Sequence, residues 1–460
     1  MVALGRRYFV GGAAALGTTA LWPARPGFAT TGMDFDEARH LLSRATFGAT
    51  PAEIRAVAAT DYEAAVDRLL ATGHDDTLTA SPNWFNKASD EQARQLCAWW
   101  VEEMLVTDQP LVERMTLFWH NHFTSSLDKV RYAPMLHRQN ALFRREALGN
   151  FARLLKAVAR DPAMLIYLDG AQSVAQRPNE NFARELLELF TLGEGHYSEA
   201  DVRNAARAFT GWSIDGEAGP FVNRVEQHDG GQKTFLGQTG YFDGDDILDI
   251  LLGHPRPAEL VCEKLWREFV SLAPDAAEIK RLAEILRGGG YEMKPVLKAM
   301  FLSPAFRDPA NRGALIKSPI DLLVGSVHLL GLSVPDKTPL AAMMQGLGQL
   351  PFYLPDVKGW PGGESWITTY TLLLRQQYLR RMIEATTVAS MDGAMMRPVE
   401  GRSLRNAGKE ASLGSTLSGI DANELMRALL PRQPIDPLDL NGAPGEVVAS
   451  AMLDPVYQLK

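Results

Sequence analysis

PNENFARELLELFTLG, residues 178–193, is the stretch whose reading sets the architecture of this chain. Pro178 bars helix ahead of it, Asn179 is a good N-cap, and no breaking residue follows until Gly193, so the spacing predicts a helix of about three and a half turns. Phe182, Leu186, Leu189 and Phe190 recur at i, i+4, i+7 and i+8, which is one apolar face. Asn181, Glu185 and Glu188 line a second edge, and Glu180, Arg184 and Glu188 form an i, i+4 ladder. Two readings follow. Either this is a surface helix with an ion-pair ladder, its acids favoured near the positive N-terminal end. Or Leu187 makes the helix apolar over much of its girth and turns Glu185 and Glu188 into a shared cavity, where buried carboxylates need a metal or an arginine.

Outward from this stretch the same helical period dominates. DFDEARHLLSRATFG gives a short helix stopped by Gly48, and TPAEIRAVAA carries a Thr50 cap, Pro51 at the first helical position and Glu53 in the first turn. Segments 61–71, 90–107, 110–119, 137–148, 152–160 and 198–210 read the same way, as do 244–252, 257–272, 275–287, 293–302, 317–330, 338–347 and 367–387. The fold class is therefore mainly α, one large multi-helix domain over 34–388. Its exception is residues 222–242, VNRVEQHDGGQKTFLGQTGYF, where Asp229, Gly230 and Gly231 supply turn chemistry between short alternating runs and predict an inserted β-hairpin. Residues 351–365 are too rich in Pro and Gly for either regular state. Residues 389–420, rich in Gly, Ser and Arg, read as a flexible linker, and 421–460 as short helices packing back on the main domain.

Composition bounds the rest. With 460 residues, 46% hydrophobic and 22% charged, the chain is an ordinary globular protein, and a net charge of -8 argues against a general nucleic-acid binder. Met1 to Ala29 joins Arg6 and Arg7 to Phe9, a weakly apolar Gly/Ala run and a late Arg25, which suits a twin-arginine signal peptide and a periplasmic or secreted destination. No later apolar run reaches the roughly 18 residues of a membrane span. Cys97 and Cys262 allow one disulfide, but their apolar helical surroundings favour two buried thiols.

Three clusters bear chemistry. In FWHNHF, residues 118–123, His120 and His122 share one side if the helix ends near Trp119, but stand about 200° apart if it continues. Two imidazoles plus a carboxylate suit a divalent transition metal such as zinc or iron. The hairpin brings His228 and Asp229, followed by Lys233, which matter only if it folds back over the acidic helix; otherwise Asp229 serves the turn. The loop PFYLPDVKGWPGGES adds Lys358 and Trp360, with glycines that allow close approach to a ligand, or a connector wedged on the core by its tryptophans. No G-x-S-x-G elbow, P-loop, H-E-x-x-H or C-x-x-C-H occurs.

HLLSRATFGATPAE (40–53), FWHNHF, ARDPAMLIYLDG (159–170), the 178–193 stretch, ARAFTGW (206–212), HDGGQKTFLGQTG (228–240), KSPIDLLVG (317–325) and DVKGWPGG (356–363) together resemble the bacterial domain of unknown function 1800 family. The resemblance runs from about residue 36 onwards. It implies export and, from gene neighbourhoods, a partner resembling sulfatases and alkaline phosphatases; it supplies no catalytic residues. Two functions are then expected. One is an exported metal-assisted hydrolase with His120, His122, Glu185 and His228 as ligands, Glu188 or Glu180 as general base, the catalytic Arg184 or Lys358 holding an anionic or polar substrate, and Trp360 and Asp229 also binding substrate. The other is a non-enzymatic envelope protein that binds a partner or polymer, its polar helix a structural ladder.

Overall fold

Helix after helix begins on the capping chemistry its sequence announces. Thr50 Oγ1 accepts from the Glu53 amide while Glu53 Oε2 accepts from Thr50 N at 2.7 Å, a reciprocal cap behind Pro51 that is typically worth about 1 kcal/mol. The computed structural model describes residues 32–71, 89–388 and 420–460. The signal peptide expected at 1–29 and, but for residue 420, the linker expected at 389–420 lie outside the described residues. Ahead of the 178–193 stretch come α1 (Phe35–Ala45), α2 (Pro51–Ala58), α3 (Tyr62–Leu70), α4 (Asp90–Val106), α5 (Pro110–His122), α6 (Leu127–Val130), α7 (Ala133–Arg145), α8 (Phe151–Ala159) and α9 (Pro162–Tyr167). The stretch itself forms α10 (Glu180–Glu185), and α11 (Glu199–Ala208) follows. After the strands come α12 (Gly244–Gly253), α13 (Arg256–Phe269), α14 (Ala276–Gly288), α15 (Met293–Phe301), α16 (Pro304–Arg307), α17 (Pro319–Leu330), α18 (Thr338–Gly346) and α19 (Thr369–Val388), then helices Ala422–Leu429 and Pro444–Leu453.

The fold is mainly α, as the period predicts. Among the described residues there are two small antiparallel pairs: β1 (Trp212–Ile214) with β2 (Phe221–Asn223) begins ahead of the expected hairpin of 222–242, and β3 (Lys233–Phe235) with β4 (Gln238–Gly240) lies inside it. The tight turn lies at Leu236-Gly237, both at positive φ of 46° and 78°, the geometry that matches the twist of a two-residue hairpin. Asp229–Gly231 is a loop instead, because Arg207 captures the Asp229 carboxylate at 2.7 Å and the buried Lys233 amine binds the Gly231 carbonyl at 3.0 Å.

One contiguous apolar cluster runs from Ala38 to Tyr457 and includes Trp100, Trp119, Phe190, Leu265, Leu323 and Met452. Burying each such side chain fully is worth roughly 1.5–3 kcal/mol. At its centre lies α5, whose Leu111, Met115 and Trp119 are fully buried. Cys97 and Cys262 are both buried free thiols. Among the described residues no helix is long and apolar enough to cross a membrane.

Candidate functional site

Helix α5 does not stop at Trp119. It continues through His122, with the Phe123 amide donating to the Trp119 carbonyl at 2.8 Å. The two imidazoles therefore leave the helix on different sides, about 200° apart. His120 is fully buried, its ring 5.0 Å from Trp100, 5.3 Å from Phe352 and 5.8 Å from Trp360, and neither ring nitrogen has a hydrogen-bond partner among the described residues. Burial pushes its pKa down to about 3, so it is a neutral core residue at ordinary pH. His122 faces the other way, towards Phe190 at the end of the 178–193 stretch.

That stretch changes winding as it approaches α5. From Leu186 to Thr191 it is a π-helical turn, in which the Leu192 amide reaches the Leu187 carbonyl at 2.8 Å and Thr191 Oγ1 donates to the Leu186 carbonyl at 2.6 Å. Helix ends leave carbonyls without intrahelical donors and attract cations. Lys264 of α13 fills this role: its Nζ donates to the Leu189 carbonyl at 2.9 Å and to His122 Nδ1 at 2.9 Å. An acceptor Nδ1 leaves the imidazole proton on Nε2, which among the described residues has no partner within hydrogen-bond geometry. Burial, with Lys264 adding and the Phe190 carbonyl opposing, holds His122 well below its ordinary pKa. Burial, with Arg267 adding, lowers the Lys264 ammonium to about 8, and no carboxylate among the described residues pairs with it.

His122 and Lys264 line a cleft of about 240 Å³ between α5, α13 and the glycine-rich loop. Its floor is a buried ion network. Asp321 lies in the first turn of α17 as part of a capping box with Ser318, bonds Arg114, and accepts from Lys460 Nζ at 2.6 Å. Arg114 also reaches Glu268 at 2.7 Å. Burial opposes ionisation of Asp321, but the Arg114 and Lys460 charges outweigh it and hold the carboxyl far below the usual range. The roof is the loop with Lys358, Trp360 and Trp366. Gly359, at φ 83°, lets that loop press onto the end of α5: a Cβ there would meet Asn121 Oδ1 at 2.3 Å, while the same oxygen accepts from the Trp360 amide at 2.7 Å. Trp360 Nε1 is buried without a partner. Arg114 and Lys460 are committed to Asp321 and Glu268, which leaves Lys264, Arg267 and Lys358 as the cleft cations without an ion pair among the described residues.

The structure thus brings His122, Lys358 and Trp360 to one cleft and leaves the other expected site residues elsewhere. Arg184 is held by Glu199 at 2.7 Å and by Glu180 at 3.3 Å, all three part-exposed. Glu188 accepts from Tyr197 Oη at 3.0 Å. Glu185 is half-buried, its pKa raised by burial and by Glu188, with Lys358 and Arg184 acting the other way. His228 lies 3.0 Å from the Thr210 carbonyl, and Asp229 belongs to Arg207. The expected metal set of His120, His122, Glu185 and His228 is not assembled. For the two histidines the cause is the continuation of α5 by most of a turn past Trp119, and among the described residues no group of three or more His, Cys, Asp or Glu side chains could hold a metal ion.

Residues 40–459 match the family described as Protein of unknown function (DUF1800). The chain belongs to the DUF1800 family. None of the curated proteins matches it, and no solved structure does. Several cleft residues of this DUF1800 protein escape sequence reading: Arg114, Lys264, Glu268, Asp321 and Lys460. A signal existed for two of them. Lys264 interrupts the apolar face of ELVCEKLWREFV, and Asp321 stands between apolar residues in SPIDLLVG, each a charge that needs a buried partner.

Proposed function

We propose that this protein is an extracytoplasmic binding protein for a small anionic ligand, held in the cleft beneath Trp360. The observation that carries this reading is Lys264, a half-buried ammonium answered by a carbonyl and an imidazole nitrogen but by no carboxylate among the described residues. An anion entering the cleft would meet that ammonium, with Arg267 and Lys358 drawing it in and the two tryptophans covering an apolar part. The binding reading is preferred to metal-assisted hydrolysis because the ligands that hydrolysis would need are dispersed. Arg6, Arg7 and Phe9 support export. The sulfatase-like partner implied by the family resemblance is of a type that handles anionic esters, the same charge class.

Calorimetry tests it. Wild-type protein is titrated with phosphate, sulfate, acetate and sugar phosphates, and at least one is expected to bind, with Lys264→Gln weakening it by roughly tenfold or more. Absence of binding across the panel, or binding untouched in Lys264→Gln, overturns the reading.

A further inference from the structure

Two of the quoted stretches, HLLSRATFGATPAE and KSPIDLLVG, take no part in the cleft roof, yet they meet. Gly325 of α17 lies so close to the turn after α1 that a Cβ on it would sit 2.3 Å from the Phe47 carbonyl oxygen. Beside this contact is a second cavity, of about 50 Å³, several times the roughly 10–15 Å³ that one water needs. It shares the Asp321–Lys460 pair with the cleft as a common wall, and Arg39, Lys317 and Tyr457 line it.

The charges in this cavity do not balance. Arg39 is only 5% exposed, forms no hydrogen bond or ion pair with a described residue, and its Nε is buried without an acceptor. The carboxylate that acts favourably on it, Asp36, is itself bonded by Arg427 at 3.2 Å, while Arg312 and Arg427 add positive charge. Lys317 places its Nζ 3.5 Å from the centre of the Tyr457 ring and makes no hydrogen bond through that amine with a described residue. Arg39 repels it. Asp321 is already bonded by Arg114 and Lys460. The neighbouring Arg44 shows how this fold treats a buried guanidinium that has no ligand to bind: three carbonyls, of Phe269, Val270 and Asn311, accept from it at 3.1, 3.1 and 2.6 Å. Arg39 and Lys317 have no such acceptors.

We propose that this cavity is a second anion site, built for a small oxyanion, a carboxylate or a phosphate- or sulfate-sized ion, held between Arg39 and Lys317. An oxyanion supplies both the charge and the acceptor lone pairs that the two side chains lack. The inference does not rest on the reading of the cleft.

The test uses the full chain, with selenate as a phosphate- and sulfate-like scatterer in crystals and with phosphate and acetate in solution calorimetry. A selenate peak between Arg39 and Lys317 is expected. Either Arg39→Gln or Lys317→Gln should abolish it and weaken one binding event by roughly tenfold or more, whereas Lys264→Gln should leave that event in place. Preference for phosphate over acetate, or the reverse, then tells a free inorganic ion from a carboxylate ligand. An empty cavity at saturating selenate overturns the proposal. So does a peak unchanged in both variants, or a peak in crystals with no binding event in solution. If one variant fails to fold, the other and the wild-type peak still decide.

Discussion

Asp321 answers two cations that arrive from opposite ends of the chain, Arg114 from 207 positions before it and Lys460 from 139 after it. Removing one member of a buried ion network strands the others in low dielectric, at a cost of about 3–5 kcal/mol. Asp321→Asn is therefore expected to lower unfolding free energy by about that amount in urea titrations, far more than an ordinary surface substitution. Lys264 makes a second prediction at the same scale. Its folded pKa is lowered from 10.5 to about 8, so the folded state carries a penalty that is fully present below about 8 and is relieved as pH rises towards 10.5. Ligand-free stability attributable to Lys264 should rise through that window, while anion affinity falls as the ammonium is lost. Denaturation and calorimetry across the same pH series read the two opposite trends; parallel trends would contradict them.

At the scale of elements, the joint between α5 and the glycine-rich loop decides the shape of the cleft. Gly359 has a positive φ and no room for a Cβ beside Asn121, so Gly359→Ala costs roughly 1–2 kcal/mol from the backbone alone. It should also displace Trp360, and a drop in ligand affinity larger than the drop in stability is expected from paired binding and melting measurements. A second joint ties α2 to α17 through His328 Nε2 and Glu53 Oε2 at 2.9 Å. Burial lowers the His328 pKa, but the Glu53 hydrogen bond and charge outweigh it and leave a net rise. A raised folded pKa stabilises fully below the unfolded value near 6.5 and loses that stabilisation as pH rises through the folded value. Burial likewise opposes Glu53, whose pKa is nevertheless lowered by His328 and Thr50, so its share disappears only as pH falls through that lowered value. His328→Gln should consequently reduce the melting temperature more at mildly acidic pH than at alkaline pH, and equal losses at both would remove the pair from the account. The 178–193 helix teaches a different lesson. Its apolar spacing is that of an α-helix, yet it widens to a π turn at Leu186, and its contribution to the cleft is the Leu189 carbonyl rather than any carboxylate.

For the molecule as a whole, the twin arginines carry one more prediction: Arg6→Lys combined with Arg7→Lys should leave the chain in the cytoplasm, read by cell fractionation, if the folded-export reading of residues 1–29 holds. The helices of the main body were legible because a 3.6-residue period records which face of a segment is buried, and caps such as Thr50-Pro51-x-Glu53 act within one turn. Lys358 and Trp360 were legible as residues of a close-approaching loop because glycines flank them, and both line the cleft. The side that His122 faces stayed open because the end of α5, most of a turn earlier or later, decides it, and nothing within FWHNHF marks that end. Lys264 and Asp321 stayed hidden for a related reason. Periodicity reports that a position is buried, but the group that answers a buried charge comes from wherever packing brings it, here 142 positions away for Lys264 and His122. Sequence alone determined the helical architecture and the family. Tertiary structure decided which charges were paired and which were not, because pairing depends on distances between segments that no local pattern encodes.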